Sequence, residues 1–93
     1  MNINKLMKQA KKMQETIAAL EASGDAGGGA VRVKMNGTKH LVEVKLDPDA
    51  IDPQDPAVLE DLILAAVHNA EQRVEEEISG KMGGVVPGMP GLI

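Results

Sequence analysis

The sequence predicts an α+β fold in which two helices flank an antiparallel hairpin, with two copies of the chain forming a homodimer. Three observations carry this expectation. Apolar residues recur at alternating spacings of three and four from Ile3 to Leu20. Two runs of alternating apolar and polar residues flank Asn36-Gly37. A wide apolar stripe begins just after Asp55-Pro56. At 93 residues the chain is read as one domain over residues 1–80, followed by a Gly/Pro/Met-rich tail over 81–93 that is expected to be flexible. A domain of this size buries a modest share of its unfolded surface and commonly needs a metal, a disulfide or a partner subunit. The chain has no cysteine, which excludes disulfides and thiolate metal sites. A second copy of the chain is therefore the expected source of stability.

The first helix is expected over Asn4 to Ala22. With Ile3 at heptad position a, residues Ile3, Ala10 and Ile17 fall at a, and Leu6, Met13 and Leu20 at d. Lys5 and Lys12 then lie at c, Lys8 at f and Lys11 at b. All four stand away from the apolar seam, so they do not serve to hold the helix against its partner. Ser23-Gly24 is expected to end the helix, with Gly24 in the left-handed conformation that glycine tolerates. Gly24 to Gly29, "GDAGGG", reads as a flexible connector. It is not a phosphate-binding P-loop, because no strand precedes the glycines and no Lys-Ser/Thr follows them.

The stretch Ala30 to Leu46 reads as a hairpin. Asn-Gly is the preferred pair for a two-residue type I′ turn, which would pair Met35 with Thr38, Val33 with His40 and Val31 with Val42. One face would then carry Val31, Val33, Met35, Val42, Val44 and Leu46, with His40 near the tip. The other would carry Arg32, Lys34, Lys39, Leu41, Glu43 and Lys45, setting Lys34 opposite Lys39. Like charges so placed repel, and a bound anion would relieve them. A solvated sheet face is the plainer reading of the same residues.

Asp47 to Pro56, "DPDAIDPQDP", reads as turn chemistry, since its prolines interrupt helix and strand and its acids lack the spacing of a calcium loop. The second helix is expected from Pro56 to about Ser79, capped by Asp55 and ended by Gly80. Leu59, Ile63, Val67, Ala70, Val74 and Ile78 lie along one stripe, and Val58, Leu62 and Ala66 widen it. One small sheet would hardly cover that surface. The expected dimer interface comprises Val33, Met35, Leu59, Leu62, Ile63, Ala66, Val67 and Ala70.

Charge is segregated. The formal net charge is −4, yet eight of the ten lysines and arginines lie in the first 45 residues. Two basic patches result, one from Lys5, Lys8, Lys11 and Lys12, the other from Arg32, Lys34, Lys39 and Lys45. Residues 47–61 hold six acids and no base. Local patches rather than totals govern polyanion binding. Phe, Tyr and Trp are absent, which removes the stacking platforms used by readers of single-stranded nucleic acid. Lysine contacts phosphate as a point charge, so the expected ligand is a nucleic acid held with little sequence preference. The sites expected to touch it are Lys5, Lys8, Lys11, Lys12, Arg32, Lys34 and Lys39. A basic amphipathic helix can also lie on a membrane, but none of the usual aromatic anchors is present, and no apolar run is long enough to span one. No nucleophile constellation or carboxylate pair in an apolar setting suggests an enzyme, and no cofactor is expected. His68, Glu71 and Glu75 share a helix side but make at best a weak metal site, with solvated helix surface the ordinary explanation.

The pattern as a whole resembles the YbaB/EbfC family of bacterial nucleoid-associated proteins. The similar stretches are "LMKQAKKMQ" from Leu6, "GGGAVRVKMNG" from Gly27, "VEVKLDP" from Val42, "LEDLILAAVHNA" from Leu59 to Ala70 and "KMGGVVPGMPG" in the tail. Together they span nearly the full chain in order. The resemblance implies an α-β-β-β-α chain, adding a strand near Leu20 to Ala26 that the residues themselves do not announce. It implies a tweezer-like homodimer with protruding helices, located in the cytoplasm and nucleoid, that binds duplex DNA through helical residues matching Lys5, Lys8, Lys11 and Lys12. A rival reading makes the same dimer an adaptor for a protein partner in translation, replication or repair. It draws on the acidic total charge, the acidic segment at 47–61 and the methionine-bearing tail.

Overall fold

The computed structural model describes residues 2–81. The elements run α1 (Ile3–Ala19), β1 (Glu21–Ala26), β2 (Val31–Asn36), β3 (Leu41–Leu46), a short 3-10 turn (Pro48–Ala50) and α2 (Pro56–Lys81). This is the α-β-β-β-α order, with one antiparallel sheet of order β1-β2-β3. The tail after residue 81 lies outside the described residues.

Helix α1 starts where Asn2 accepts a hydrogen bond from the Lys5 amide at 3.2 Å, satisfying one free N–H of the first turn. It ends earlier than the sequence suggests. Leu20 is extended, with ψ 140, and the chain passes directly into β1 instead of stopping at Ser23-Gly24. "EASGDA" has poor strand propensity, so its conformation comes from its neighbours. β1 pairs with β2 along its whole length, from Glu21↔Asn36 to Ala26↔Val31. Gly24, expected to cap a helix, is buried mid-strand. A Cβ there would run into the Ala66 carbonyl oxygen and the Ala70 amide nitrogen, and would stand 2.8 Å from Ala70 Cα. The missing side chain is what lets α2 lie directly on the strand. Asn69 Nδ2 reinforces this seam by donating to the Asp25 carbonyl at 2.8 Å.

The glycines after β1 form a tight turn, with positive φ at Gly27, Gly28 and Gly29. The next turn departs from the expected type I′. Gly37 does not have positive φ; Lys39 does, at φ 65. The Lys39 amide donates to the Asn36 carbonyl at 2.9 Å, giving a three-residue loop over residues 37–39 that ends in a left-handed residue. Pairing therefore moves along β3, so that Val33 meets Val44 and Val31 meets Leu46. Because the displacement is four residues, an even number, Val44 and Leu46 keep the face expected of them. The loop alone sets Leu41 opposite Met35, contrary to the expected alternation, and the register shift between Lys34 and Met35 adds the last residue of displacement. Lys34 faces Glu43, not Lys39, so the expected like-charge pair does not exist.

Asp47 and Asp52 cap turns by accepting from the amides of Asp49 and Gln54, at 3.0 and 2.9 Å. α2 then crosses β1 and β2. It runs through Gly80 to Lys81, so Gly80 does not terminate it. The core comprises Leu20, Val31, Val33, Met35, Ala66, Ala70 and Val74. Every residue of β3 is exposed, because no helix covers that strand. The molecule is elongated, 64 × 28 × 16 Å. α1 has no buried residue and meets the sheet only near its own C-terminal end.

Candidate nucleic-acid interface

Lys5, Lys8, Lys11 and Lys12 are all exposed on α1. None forms an ion pair among the described residues, whose four salt bridges involve Lys34, Lys39 and Lys45. Among the described residues no carboxylate lies within ion-pair distance of them, which leaves their charge open to an outside anion. α1 is about 26 Å long at 1.5 Å per residue, and the lysines run from Lys5 to Lys12, just past its midpoint.

The second basic patch is differently placed. Lys34 lies 4.0 Å from Glu21 and 3.6 Å from Glu43, and Lys45 lies 3.7 Å from Glu43. These are exposed pairs, each of small energetic weight. They nevertheless neutralise much of the open sheet face. Arg32 faces Lys45 across the strands and forms no ion pair among the described residues. Its guanidinium folds over Gly29, with Nη2 only 2.9 Å from the place a Cβ would occupy. Lys39 is engaged elsewhere, its Nζ 2.7 Å from Glu75 Oε1 on α2. Hydrogen bonding to Glu75, and then that carboxylate's charge, raise the Lys39 pKa. Of the seven residues expected to touch DNA, Lys5, Lys8, Lys11, Lys12 and Arg32 are thus free of ion pairs among the described residues, while Lys34 and Lys39 are engaged. Glu75, one of three residues weighed as weak metal ligands, is the partner of Lys39.

The expected dimer residues also separate. Val33, Met35, Ala66 and Ala70 are buried inside the protomer, at most 2% exposed. Within the protomer these side chains are taken up by its own core. Leu59, Leu62, Ile63 and Val67 are half-buried at the core margin. The larger uncovered apolar surface lies outside the expected set. Leu41, Val42, Val44 and Leu46 on β3 are 38–50% exposed, and Val58 and Leu64 on α2 are 52 and 57% exposed. Alternation identified Val44 and Leu46 as core-facing. Their exposure follows from where α2 lies, which alternation does not encode.

Fold and site together describe an α-β-β-β-α protein with an uncovered apolar strand and a helix whose lysines form no ion pair among the described residues. The chain belongs to the YbaB/EbfC DNA-binding family, whose model matches residues 1–89. It is 45% identical to a nucleoid-associated protein of Alkaliphilus metalliredigens, over 98% of this chain and 88% of the relative. It is 47% identical to a nucleoid-associated protein of Clostridium perfringens, over 98% of this chain and 89% of the relative. An uncharacterized protein of Helicobacter pylori of known crystal structure shares the fold, with a TM-score of 0.67 at 20% identity, over 90% of this chain and 98% of that one. No helix among the described residues is long and apolar enough to cross a membrane.

Proposed function

We propose that this protein binds double-stranded DNA in the nucleoid as a homodimer, with little sequence preference. The observation that carries the reading is the set of four exposed lysines, none of which forms an ion pair among the described residues, on α1, a helix with no buried residue. Membership of a DNA-binding family supports it. Lysine ammonium groups meet phosphate oxygens, which repeat along any duplex, so affinity comes without base readout. Arg32 on the open sheet face supplies a further cation.

The dimer reading draws on β3. Its exposed Val44 and Leu46 continue the apolar face whose β2 half is buried beneath α2. A second copy laid over β3, Leu64 and Val58 would remove that surface from water. Two arms per dimer double the number of ammonium groups offered to one duplex.

The test is duplex binding across a range of salt concentrations. Each lost phosphate contact flattens the slope of log K against log salt by about 0.9. Changing Lys5, Lys8, Lys11 and Lys12 together to alanine is expected to flatten it by about 3.6 with one arm engaged, or about 7 with both. Alanine preserves the helix. An unchanged slope refutes the assignment.

The adaptor reading draws on the exposed Ile3, Leu6 and Met7 at the free end of α1. Capture of a protein partner from nuclease-treated lysate, lost on changing Leu6 and Met7 to Ser, would favour it over DNA.

A further inference from the structure

The loop between β2 and β3 touches both helices. On one side the Gly37 amide donates to the Leu20 carbonyl at 2.9 Å, at the end of α1. A Cβ on Gly37 would overlap the Ile17 carbonyl oxygen and stand 2.6 Å from its carbon, so only glycine seats the loop against this helix backbone. On the other side Lys39 Nζ meets Glu75 Oε1 on α2 at 2.7 Å. Between the two contacts, Asn36 Oδ1 accepts from the Thr38 amide at 3.0 Å, the Thr38 hydroxyl at 2.6 Å and the His40 amide at 3.0 Å. Lys39 occupies the left-handed region at φ 65, which costs a non-glycine residue free energy and places its side chain toward α2.

α1 has no buried residue of its own; half-buried Ile17 and buried Leu20 mark its root. Among the described residues, the root, the loop and the end of α2, where Gly80 faces Gln9, Lys12, Met13 and Thr16 across an open groove, are what can fix its direction. We propose that Asn36, Gly37 and the Lys39–Glu75 pair are positioning residues that set the angle of the cationic arm relative to α2. Lys39 acts through this pair rather than by touching phosphate. The inference builds on the DNA-binding reading, but its primary test does not use DNA.

The chain has no cysteine, so Gln9→Cys on α1 and Gln72→Cys on α2 give two clean spin-label sites. Labelled chain is diluted into unlabelled chain so that distances within one protomer dominate. Gln9 lies 11 residues from Leu20, about 16 Å along the helix, so a tilt of about 15° moves it by about 4 Å. The native loop is expected to give one narrow distance distribution. Asn36→Ala and Glu75→Gln are each expected to broaden or shift it by about that much, and Gly37→Ala by more. The exchanged pair Lys39→Glu with Glu75→Lys is expected to restore the narrow distribution, an outcome that general loss of stability would not give. Far-ultraviolet circular dichroism checks folding, and if Gly37→Ala does not fold the other variants decide. Unchanged distributions in Asn36→Ala and Glu75→Gln overturn the proposal. Duplex affinity of the same variants separates the two readings, because a displaced arm with unaltered affinity counts against the lysine interface while leaving the loop its role.

Discussion

Replacing Gly24 with alanine should loosen the contact between α2 and the sheet. The added Cβ meets the carbonyl oxygen of Ala66 and the amide nitrogen of Ala70, both main-chain atoms of a helix that cannot rotate aside as a side chain would. At 2.8 Å from Ala70 Cα it is also well inside ordinary carbon–carbon contact of about 3.5–4.0 Å. α2 must retreat, or β1 must buckle. A gap of even about 0.5–1 Å forfeits a quarter to a half of each dispersion contact. Ala66, Ala70 and Val74, all 0% exposed, sit along that seam. Overpacking typically costs about 1–3 kcal/mol, and the main-chain obstruction puts this case near the top, about 3 kcal/mol. Stability of about 0.05–0.15 kcal/mol per residue gives roughly 5–14 kcal/mol for a chain this long, so the loss is a substantial share. The assay is urea unfolding at one fixed protein concentration, because association makes apparent stability concentration-dependent. With a slope of about 1.5 kcal/mol per molar, the midpoint should fall by about 2 M. A fall below about 0.3 M would show that β1 and α2 are not in this close contact, and the account of Gly24 would fail.

Val44→Asp, at a position half exposed on the uncovered face of β3, should leave secondary structure intact but shift sedimentation from dimer to monomer at micromolar concentration; an undisturbed dimer would place the interface elsewhere. Leu20→Ala, at the buried root of α1, should cost about 2–5 kcal/mol in denaturant unfolding, whereas Leu6→Ala on the exposed arm should cost less than about 1 kcal/mol. Lys39 has its pKa raised above the ordinary lysine value of 10.5 by Glu75. Its contribution is therefore complete below that value and lost as pH rises through the higher folded-state pKa. Spin-label distances across the loop should accordingly stay constant from pH 6 to about 9 and spread only in strongly alkaline solution, while spreading near neutrality would refute the role given to the pair.

Much of the fold is legible in the residues. The seam from Ile3 to Leu20 locates α1, and its heptad positions separate the lysines from the apolar side. Alternation locates β2 and β3, and Asp55-Pro56 announces α2. β1 is not legible in this way, because "EASGDA" contains neither β-branched nor aromatic residues. Its backbone is extended because β2 offers hydrogen bonds along its whole length and α2 needs a residue without a side chain at position 24. The family resemblance supplied that strand; propensity did not. The turn is a similar case. Asn36-Gly37 signals a hairpin, but Gly37 is glycine because it abuts Ile17, not because it needs positive φ. That contact joins residues twenty apart, so nothing local reports it.

Composition and periodicity suffice to state that this chain is a helix, a hairpin and a helix, that its core is aliphatic, and that its first helix carries cations on one side and apolar residues on the other. Those properties follow from the spacing of side chains along regular backbone, and spacing is written in the order of residues. Which apolar residues are consumed inside one protomer and which remain open on β3 depends on where α2 lies. So does the fate of Lys34 and Lys39, which find carboxylates on other elements. Such outcomes come from contacts between segments distant along the chain, whose geometry exists only once the helices and the sheet have come together.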